Sequence, residues 1–477
     1  MSTIKKNFIY NSFYQILALI IPLITAPYLS RVLGAEGIGK YSYFYSISNY
    51  FVLFTMLGIN NYGNRTIAKV RDSKKELDKT FWEMYVMQFS LGLIFSTLYI
   101  FYSFYFVLDR LLALTMVPFV ISGAIDINWF YFGIENFKLT TIRNTIIKIA
   151  TTVFIFMFVK SKADVWLYCS ILTGGMLLSQ LVVWPYILKN VSFVKPSWST
   201  VKQHIRPNIY LFFTVVAVSI FKILSKILLG SLSTTVEVGY FELAEKLLTI
   251  PLALVTSLGT VMLPRMSNMI AQNSKKVNNT IAVSIVFAMF LSTSISFGTM
   301  SISKEFVPLF YGQGFDKVVN LIIILLPSCI FLAFANVIRT QYLLPKQLDS
   351  IYVISAFLGA GINLFINYLL IPKYLSIGTA VGTLLTEIVV CIYQVNGVKG
   401  NLPIKYYIRL SIPFIIAGIA MFAFLYYPNY TGNISIILLL KILIGAVIYG
   451  GVLLFYTKFV DSEIFRLLKD WRNKTDD

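Results

Sequence analysis

Charge is what this sequence has least of. Only 13% of its 477 residues are Asp, Glu, Lys or Arg, whereas 57% are apolar; a soluble globular chain carries roughly a quarter charged residues. A water-soluble domain is thereby excluded, and the bilayer is the expected solvent for most of the chain. Cysteine occurs only at Cys169, Cys329 and Cys391, each inside an apolar run and without Cys-x-x-Cys spacing. That excludes a disulfide framework and a zinc site, and no metal is expected. The single histidine, His204, has no partner cluster in the sequence and is assigned no chemistry. Acids are half as common as bases, 21 against 40. The excess of bases is spread through loops and the tail rather than gathered on one face, so no nucleic acid is expected as partner.

What is abundant is apolar sequence in runs of the length that spans a bilayer, about 20 residues. Such runs lie near 8–33, 41–63, 84–108, 111–134, 141–159 and 165–188, then near 209–230, 240–264, 280–303, 319–344, 350–371, 375–396, 405–427 and 434–457. The opening Met1 to Asn7, with Lys5 and Lys6, is basic like a signal peptide, but the apolar run behind it is too long and reads on into further spans, so a retained first helix is predicted. The expected fold is all-α and integral to the membrane, with about fourteen transmembrane helices.

Lys and Arg collect on the cytoplasmic side of short loops. With the N-terminus inside, 26 of them fall in cytoplasmic segments and 8 in outer ones, Arg143 being counted with the cytoplasmic set. This bias supports the count of spans and an orientation with both termini cytoplasmic. An internal echo sets the domains. Leu33-Gly34, Gly39 and Tyr41 answer to Leu229-Gly230, Gly239 and Tyr240, while Leu57-Gly58 and Arg65 answer to Leu258-Gly259 and Arg265. An offset of six spans keeps both halves in one direction through the membrane. The expected division is an N-terminal lobe over 1–190, a cytoplasmic linker over 191–208, a C-terminal lobe over 209–398, and two further helices with a basic tail over 399–477.

Ionisable groups at bilayer depth are costly, about 2.5–3.5 kcal/mol each on insertion scales, so each is a functional candidate. Lys222 and Lys226 stand one turn apart in the seventh span, where like charges repel unless an anion or carboxylate intervenes. Glu242, Glu245 and Lys246 open the eighth span, and the alternative there is an ion pair of Lys226 with either acid. Lys148 lies in the fifth span and Asp126 in the fourth, and Arg31 ends the first. Arg31, Lys148, Lys222, Lys226 and Lys246 suit a phosphate or diphosphate headgroup, although interfacial snorkelling is the competing reading for Arg31 and Lys148. Arg339 and Lys441 are read as topology or packing residues, with substrate contact as the alternative. Glu242, Glu245 and Asp126 are candidates for ion coupling or ion pairing. Pro22 and Pro27, close together in one helix, are candidate hinges.

Several of these residues carry a resemblance. Thr25-Ala26-Pro27-Tyr28-Leu29-Ser30-Arg31-Val32-Leu33-Gly34, followed by Glu36-Gly37-Ile38-Gly39 and Tyr41, resembles the start of polysaccharide-repeat flippases of the Wzx type. Leu57-Gly58-Ile59, Val238-Gly239-Tyr240-Phe241 and Leu263-Pro264-Arg265 extend the likeness, which runs over nearly the whole chain. The resemblance implies two six-helix lobes forming a V around a central cavity, plus two extra C-terminal helices. It also implies alternating access, with an undecaprenyl-diphosphate-linked oligosaccharide repeat as cargo for capsule, exopolysaccharide or O-antigen. Glu245 and Lys246 fall where the related lipid II flippases carry an acid–base pair before a helix proline, here Pro251.

No cofactor is implied, although coupling to the membrane potential, H⁺ or Na⁺ is compatible with the pattern. Membrane lipids, a polysaccharide polymerase and glycosyltransferases are the implied partners, and a monomer is the default. The alternative within transport is a cation-coupled drug antiporter of the multidrug and toxic compound extrusion type, for which Asp126 is the one deep acid of the first lobe. The alternative outside it is a membrane-embedded polymerase or lipid-phosphate glycosyltransferase. Short outer loops and the absence of a nucleophile–base pair or phosphate-cradling glycine loop argue against any enzyme.

Overall fold

In hydrocarbon every backbone N–H and C=O has to be satisfied within the protein, which leaves a chain of apolar runs only the helix or the closed barrel. The computed structural model describes residues 3–274, 276–428 and 430–467, with side chains undescribed in part of 3–16 and of 211–222. Among the described residues there is no strand.

The chain folds as two compact units, Met1–Gly230 and Ser231–Asp477. The first contains α1 (Thr3–Met56), α2 (Ile59–Val70), α3 (Lys74–Tyr105), α4 (Arg110–Thr115), α5 (Val117–Ala124), α6 (Asn128–Gly133), α7 (Phe137–Phe158), α8 (Val165–Leu181), α9 (Trp184–Asn190) and most of α10 (Trp198–Leu232). The second contains α11 (Thr235–Ala271), α12 (Val277–Phe310), α13 (Asp316–Leu325), α14 (Ser328–Ile338), α15 (Asp349–Tyr374), α16 (Ser376–Val398), α17 (Ile404–Tyr426) and α18 (Ile434–Phe455). Twelve helical runs among the described residues are long and apolar enough to cross a membrane. The first of these has 54 residues, about 81 Å of helix, and makes two crossings. With α10 the total is fourteen.

The first run is divided at Gly34, whose φ of 68° and ψ of −178° are not helical. The backbone stays helical across Pro22 and Pro27. Only glycine occupies that region of φ/ψ space without strain. A Cβ at Gly34 would meet nothing closer than Lys162 Cε at 3.9 Å, so crowding adds nothing to the backbone term. Gly34→Ala is expected to lower stability by about 1–3 kcal/mol, measured by thermal unfolding in detergent; an unchanged midpoint would mean that the bend is not required.

The core of the first unit lies where α2, α3, α6 and α9 converge. Phe81, Met84, Trp129, Phe130 and Ile187 are essentially inaccessible there, and Val201 of α10 joins them. Small residues permit this approach: a Cβ on Gly63 would fall 2.8 Å from the Trp129 ring, and one on Gly133 2.6 Å from Ile67. Outward faces carry Phe101, Phe154, Met157 and Phe158, each about half exposed, which only lipid can accommodate. In the second unit α15 and α16 form a tight hairpin turning at Leu375, with Gly378 lying against the Leu370 carbonyl. α17 and α18 pack on α12, where Gly418 makes room for Phe297. The stretch expected as a linker is coil over 191–197 and helical from Trp198 onward, so α10 begins within it.

Candidate functional site

The most polar interior of the first unit is built on a broken helix. Residues 125–127 interrupt the fourth crossing between α5 and α6, and the carbonyls freed by the break need donors. Gln88 Nε2, on α3, donates to Gly123 O at 2.7 Å and Asp126 O at 2.8 Å, and Trp184 Nε1 donates to Ile125 O at 3.1 Å. Gln88 Oε1 accepts from Trp129 Nε1 at 2.9 Å, so the bridge is itself fixed. Asp126 Oδ1 accepts from Asn128 N at 2.8 Å, satisfying the first amide of the second half-helix through a local turn.

Arg143 of α7 faces this break. It is only 5% exposed. Its Nη2 donates to Asn128 Oδ1 and Asn144 Oδ1, both at 2.8 Å, and its Nε to Asn144 Oδ1 at 3.1 Å. Ser179 on α8 donates to the same Asn144 oxygen at 3.0 Å. Nη1 is buried without a hydrogen-bond partner. No carboxylate lies within 4 Å of the guanidinium among the described residues. The result is a buried full charge whose hydrogen bonds go to neutral amides, with donors left over and Asp126 acting on it only from a distance. Such an arrangement costs several kcal/mol unless an anion is available to it.

One turn further along α7, Lys148 points its Nζ at the Tyr14 ring, 5.8 Å from the centroid. The seam with α1 continues to Tyr28, whose hydroxyl donates to Val159 O at 2.5 Å and whose ring lies 5.9 Å beneath Lys160 Nζ. Arg31, exposed and one turn beyond Tyr28, donates from Nη1 to Pro27 O at 3.0 Å. Lys148 and Lys160 thus both stand against tyrosines of α1, with Arg143 earlier on α7 and Arg31 further along α1.

Lys226 is half-buried on α10 and engaged with other groups, while the Lys222 side chain lies outside the described residues. In the second unit Glu242, Glu245 and Lys246 are all half-buried on α11. Lys246 Nζ stands 3.7 Å from Glu242 Oε1, so the lysine already has an acid partner one turn away. Glu237, at the same helix end, accepts from Lys317 Nζ at 2.6 Å and from Ser376 N at 3.2 Å, tying α11 to α13 and α16.

Three features are not legible in the sequence as read above. Arg143, counted with the cytoplasmic loop charges, is instead a buried residue of α7; the adjacent Asn144 and the Asp126-x-Asn128 pair in the preceding span are the signal that points to it. His204, assigned no partners, sits between the Tyr62 hydroxyl, 2.9 Å from Nδ1, and Glu83 Oε2, 3.3 Å from Nε2. A buried polar seam joins α15 to α16, with Asn367 Nδ2 donating to Asn363 Oδ1 at 2.8 Å and Gln394 Nε2 to Ser355 Oγ at 2.9 Å. The spacing of Asn363 and Asn367, four apart in an apolar run, is its trace in the sequence.

Comparison with known proteins agrees with this architecture. Residues 4–270 match the family described as polysaccharide biosynthesis protein. A protein of Escherichia coli (strain K12), named as a candidate O-antigen transporter, is 23% identical over 408 residues, covering 84% of this chain and 97% of that protein. A Haloferax volcanii protein, provisionally named as the low-salt glycan biosynthesis flippase Agl15, is 22% identical over 321 residues, 66% of each chain. Among solved structures, the lipid II flippase MurJ in an inward closed conformation superposes with a TM-score of 0.75 at 19% identity, over 95% of this chain and 100% of that one. The fold is thus of that membrane-transporter type.

Proposed function

The chain belongs to the polysaccharide biosynthesis protein family, and from that premise we propose that it is a flippase for a lipid-linked glycan. Its cargo in this reading is an undecaprenyl-diphosphate-linked oligosaccharide repeat, moved by alternating access from the inner to the outer leaflet of the bacterial cytoplasmic membrane. The observation that carries the reading is positive charge in the helical interior with no carboxylate in hydrogen-bond contact, Asp126 being the one acid that acts on Arg143 from a distance. Arg143 has donors to spare, and Lys148 follows it on the same helix. An anionic headgroup is the chemical complement of such a pair, whereas a cationic drug is repelled by it. The names of the Escherichia coli and Haloferax volcanii relatives support the same direction.

Arg31, Lys148, Lys222, Lys226 and Lys246 are the proposed diphosphate contacts, now joined by Arg143. Outward movement of a negative headgroup is favoured by an inside-negative potential, at roughly 2.3 kcal/mol per charge per 100 mV. Potential therefore suffices as a driving force, with Glu242 and Glu245 as the groups through which H⁺ or Na⁺ would add to it. Lipid tails remain in the bilayer, and a polymerase takes up the repeat on the far side.

The test is lipid extraction and mass spectrometry of cells depleted of the protein. A complete undecaprenyl-diphosphate oligosaccharide is expected to accumulate several-fold in the inner leaflet while surface polymer is lost. Normal repeat turnover with unchanged polymer, or protection against cationic drugs on overexpression, would overturn the reading.

A further inference from the structure

The first three turns of α10 carry two faces of opposite character. One face is locked onto the first unit. Val201 is 1% exposed and packs with Ile205 on the Phe81–Trp129 core, His204 is held by Tyr62 and Glu83, and the inaccessible Asn208 donates to His204 O at 2.7 Å. The other face presents Lys202 and Arg206, both exposed and one turn apart. Neither has a carboxylate within 4 Å among the described residues. Together with Ile205, Ile209 and Tyr210 they line an open recess of about 590 Å³.

Two like charges at i and i+4 weaken a helix unless an anion answers both. Here the His204 lock prevents the helix from rotating to separate them from the recess. Cations at one end of the recess and exposed Ile209 and Tyr210 at the other match an amphiphile with an anionic head. An ordinary anionic phospholipid offers one phosphate charge to the pair; a lipid-linked diphosphate offers two. We infer that Lys202 and Arg206 are the receiving site for the diphosphate of the lipid-linked cargo, held ready by the docked face of α10. The inference rests on the flippase reading and extends it to a residue pair outside the membrane seam. The same helix carries Lys226 some 20 residues on, about 30 Å away along its axis, so capture and later contact belong to one element.

The experiment titrates the full-length detergent-purified protein with undecaprenyl diphosphate and, separately, with phosphatidylglycerol, reading bound lipid by native mass spectrometry. Lys202→Gln combined with Arg206→Gln is expected to weaken undecaprenyl diphosphate binding at least about 10-fold, since each charge-assisted contact is worth roughly that factor, and to move phosphatidylglycerol binding less than about 2-fold. The exchanged pair Lys202→Arg with Arg206→Lys keeps both charges and is expected to retain binding, which separates loss of charge from loss of fold. Equal weakening of both lipids would assign the recess to bulk phospholipid and overturn the inference, as would no weakening of either. Binding is read without transport, so the inference can fail while depleted cells still accumulate the repeat. Conversely, depleted cells that accumulate nothing refute the flippase reading whatever the titration gives.

Discussion

Lys441→Met is expected to lower the stability of the folded protein by about 3–5 kcal/mol, the range for removing one partner of a buried ion pair. Lys441 is 1% exposed at its side chain, and its Nζ lies 2.7 Å from Glu305 Oε1 on α12 and 4.8 Å from the centroid of the Tyr430 ring. The other carboxylate oxygen, Oε2, is buried without a partner. Take the ammonium away and Glu305 keeps a full charge with nothing to balance it. The neighbouring Lys304 donates to Tyr426 O at 3.1 Å and lies 4.1 Å above the Tyr426 ring, so this end of α12 holds both α17 and α18. The double variant Lys441→Met with Glu305→Leu removes both charges at similar volume and is expected to recover most of the loss. Denaturant or thermal unfolding in detergent measures all three proteins. A double variant no more stable than Lys441→Met alone would show that the two residues do not act as a pair.

That ion pair also marks the limit of what the sequence discloses. Membrane class, the fourteen crossings and the all-helical fold are written in run length and hydropathy, because those depend on local composition and on a solvent that forbids other backbone solutions. Pairing across 136 residues, as between Glu305 and Lys441, depends on which helices adjoin, and hydropathy is silent on that. Helix rotation is hidden for the same reason. Arg143, six residues into its helix, has the position of a residue that snorkels to the interface, and only its contact with Asn128 on another helix shows that it points inward.

The echoing glycines show a different kind of limit. Gly34 and Gly58 take positive φ and divide their helices, whereas Gly230 and Gly259 do not. Gly230 lies against the Tyr43 ring and Gly259 against Asn336 and Thr340. The same residue type thus serves a backbone bend in one half and close approach in the other, and the repeat in the letters is not a repeat in the backbone. His204 was invisible because a lone histidine gains its meaning from Tyr62 and Glu83, both more than 100 positions away.

For Arg143 the physics predicts that stability and transport part company. A residue kept for folding should weaken the protein when it is replaced. Arg143 is instead a buried charge without a contacting carboxylate, anchored to Asn128 and Asn144 and with Nη1 unfilled. Burying one ion costs several kcal/mol even after relaxation, a penalty that an apolar side chain of similar length does not carry. Arg143→Met is therefore expected to shift the unfolding midpoint little, the recovered desolvation being offset by the Asn128 oxygen left without a donor, at about 1–3 kcal/mol if water does not reach it, and by the counter-charge that Asp126 loses. Transport, read as surface polymer in cells that depend on the protein, is expected to fall at least about 10-fold, the value of one charge-assisted contact to an anionic headgroup. Arg143→Lys keeps the charge but not the planar fork that spans two amide oxygens and leaves Nη1 free, so it is expected to restore only part of the activity. Loss of stability with proportionate loss of polymer would make Arg143 a packing residue. Full activity of Arg143→Met would remove the buried charge from the transport path and leave headgroup contact to Lys148 and Arg31.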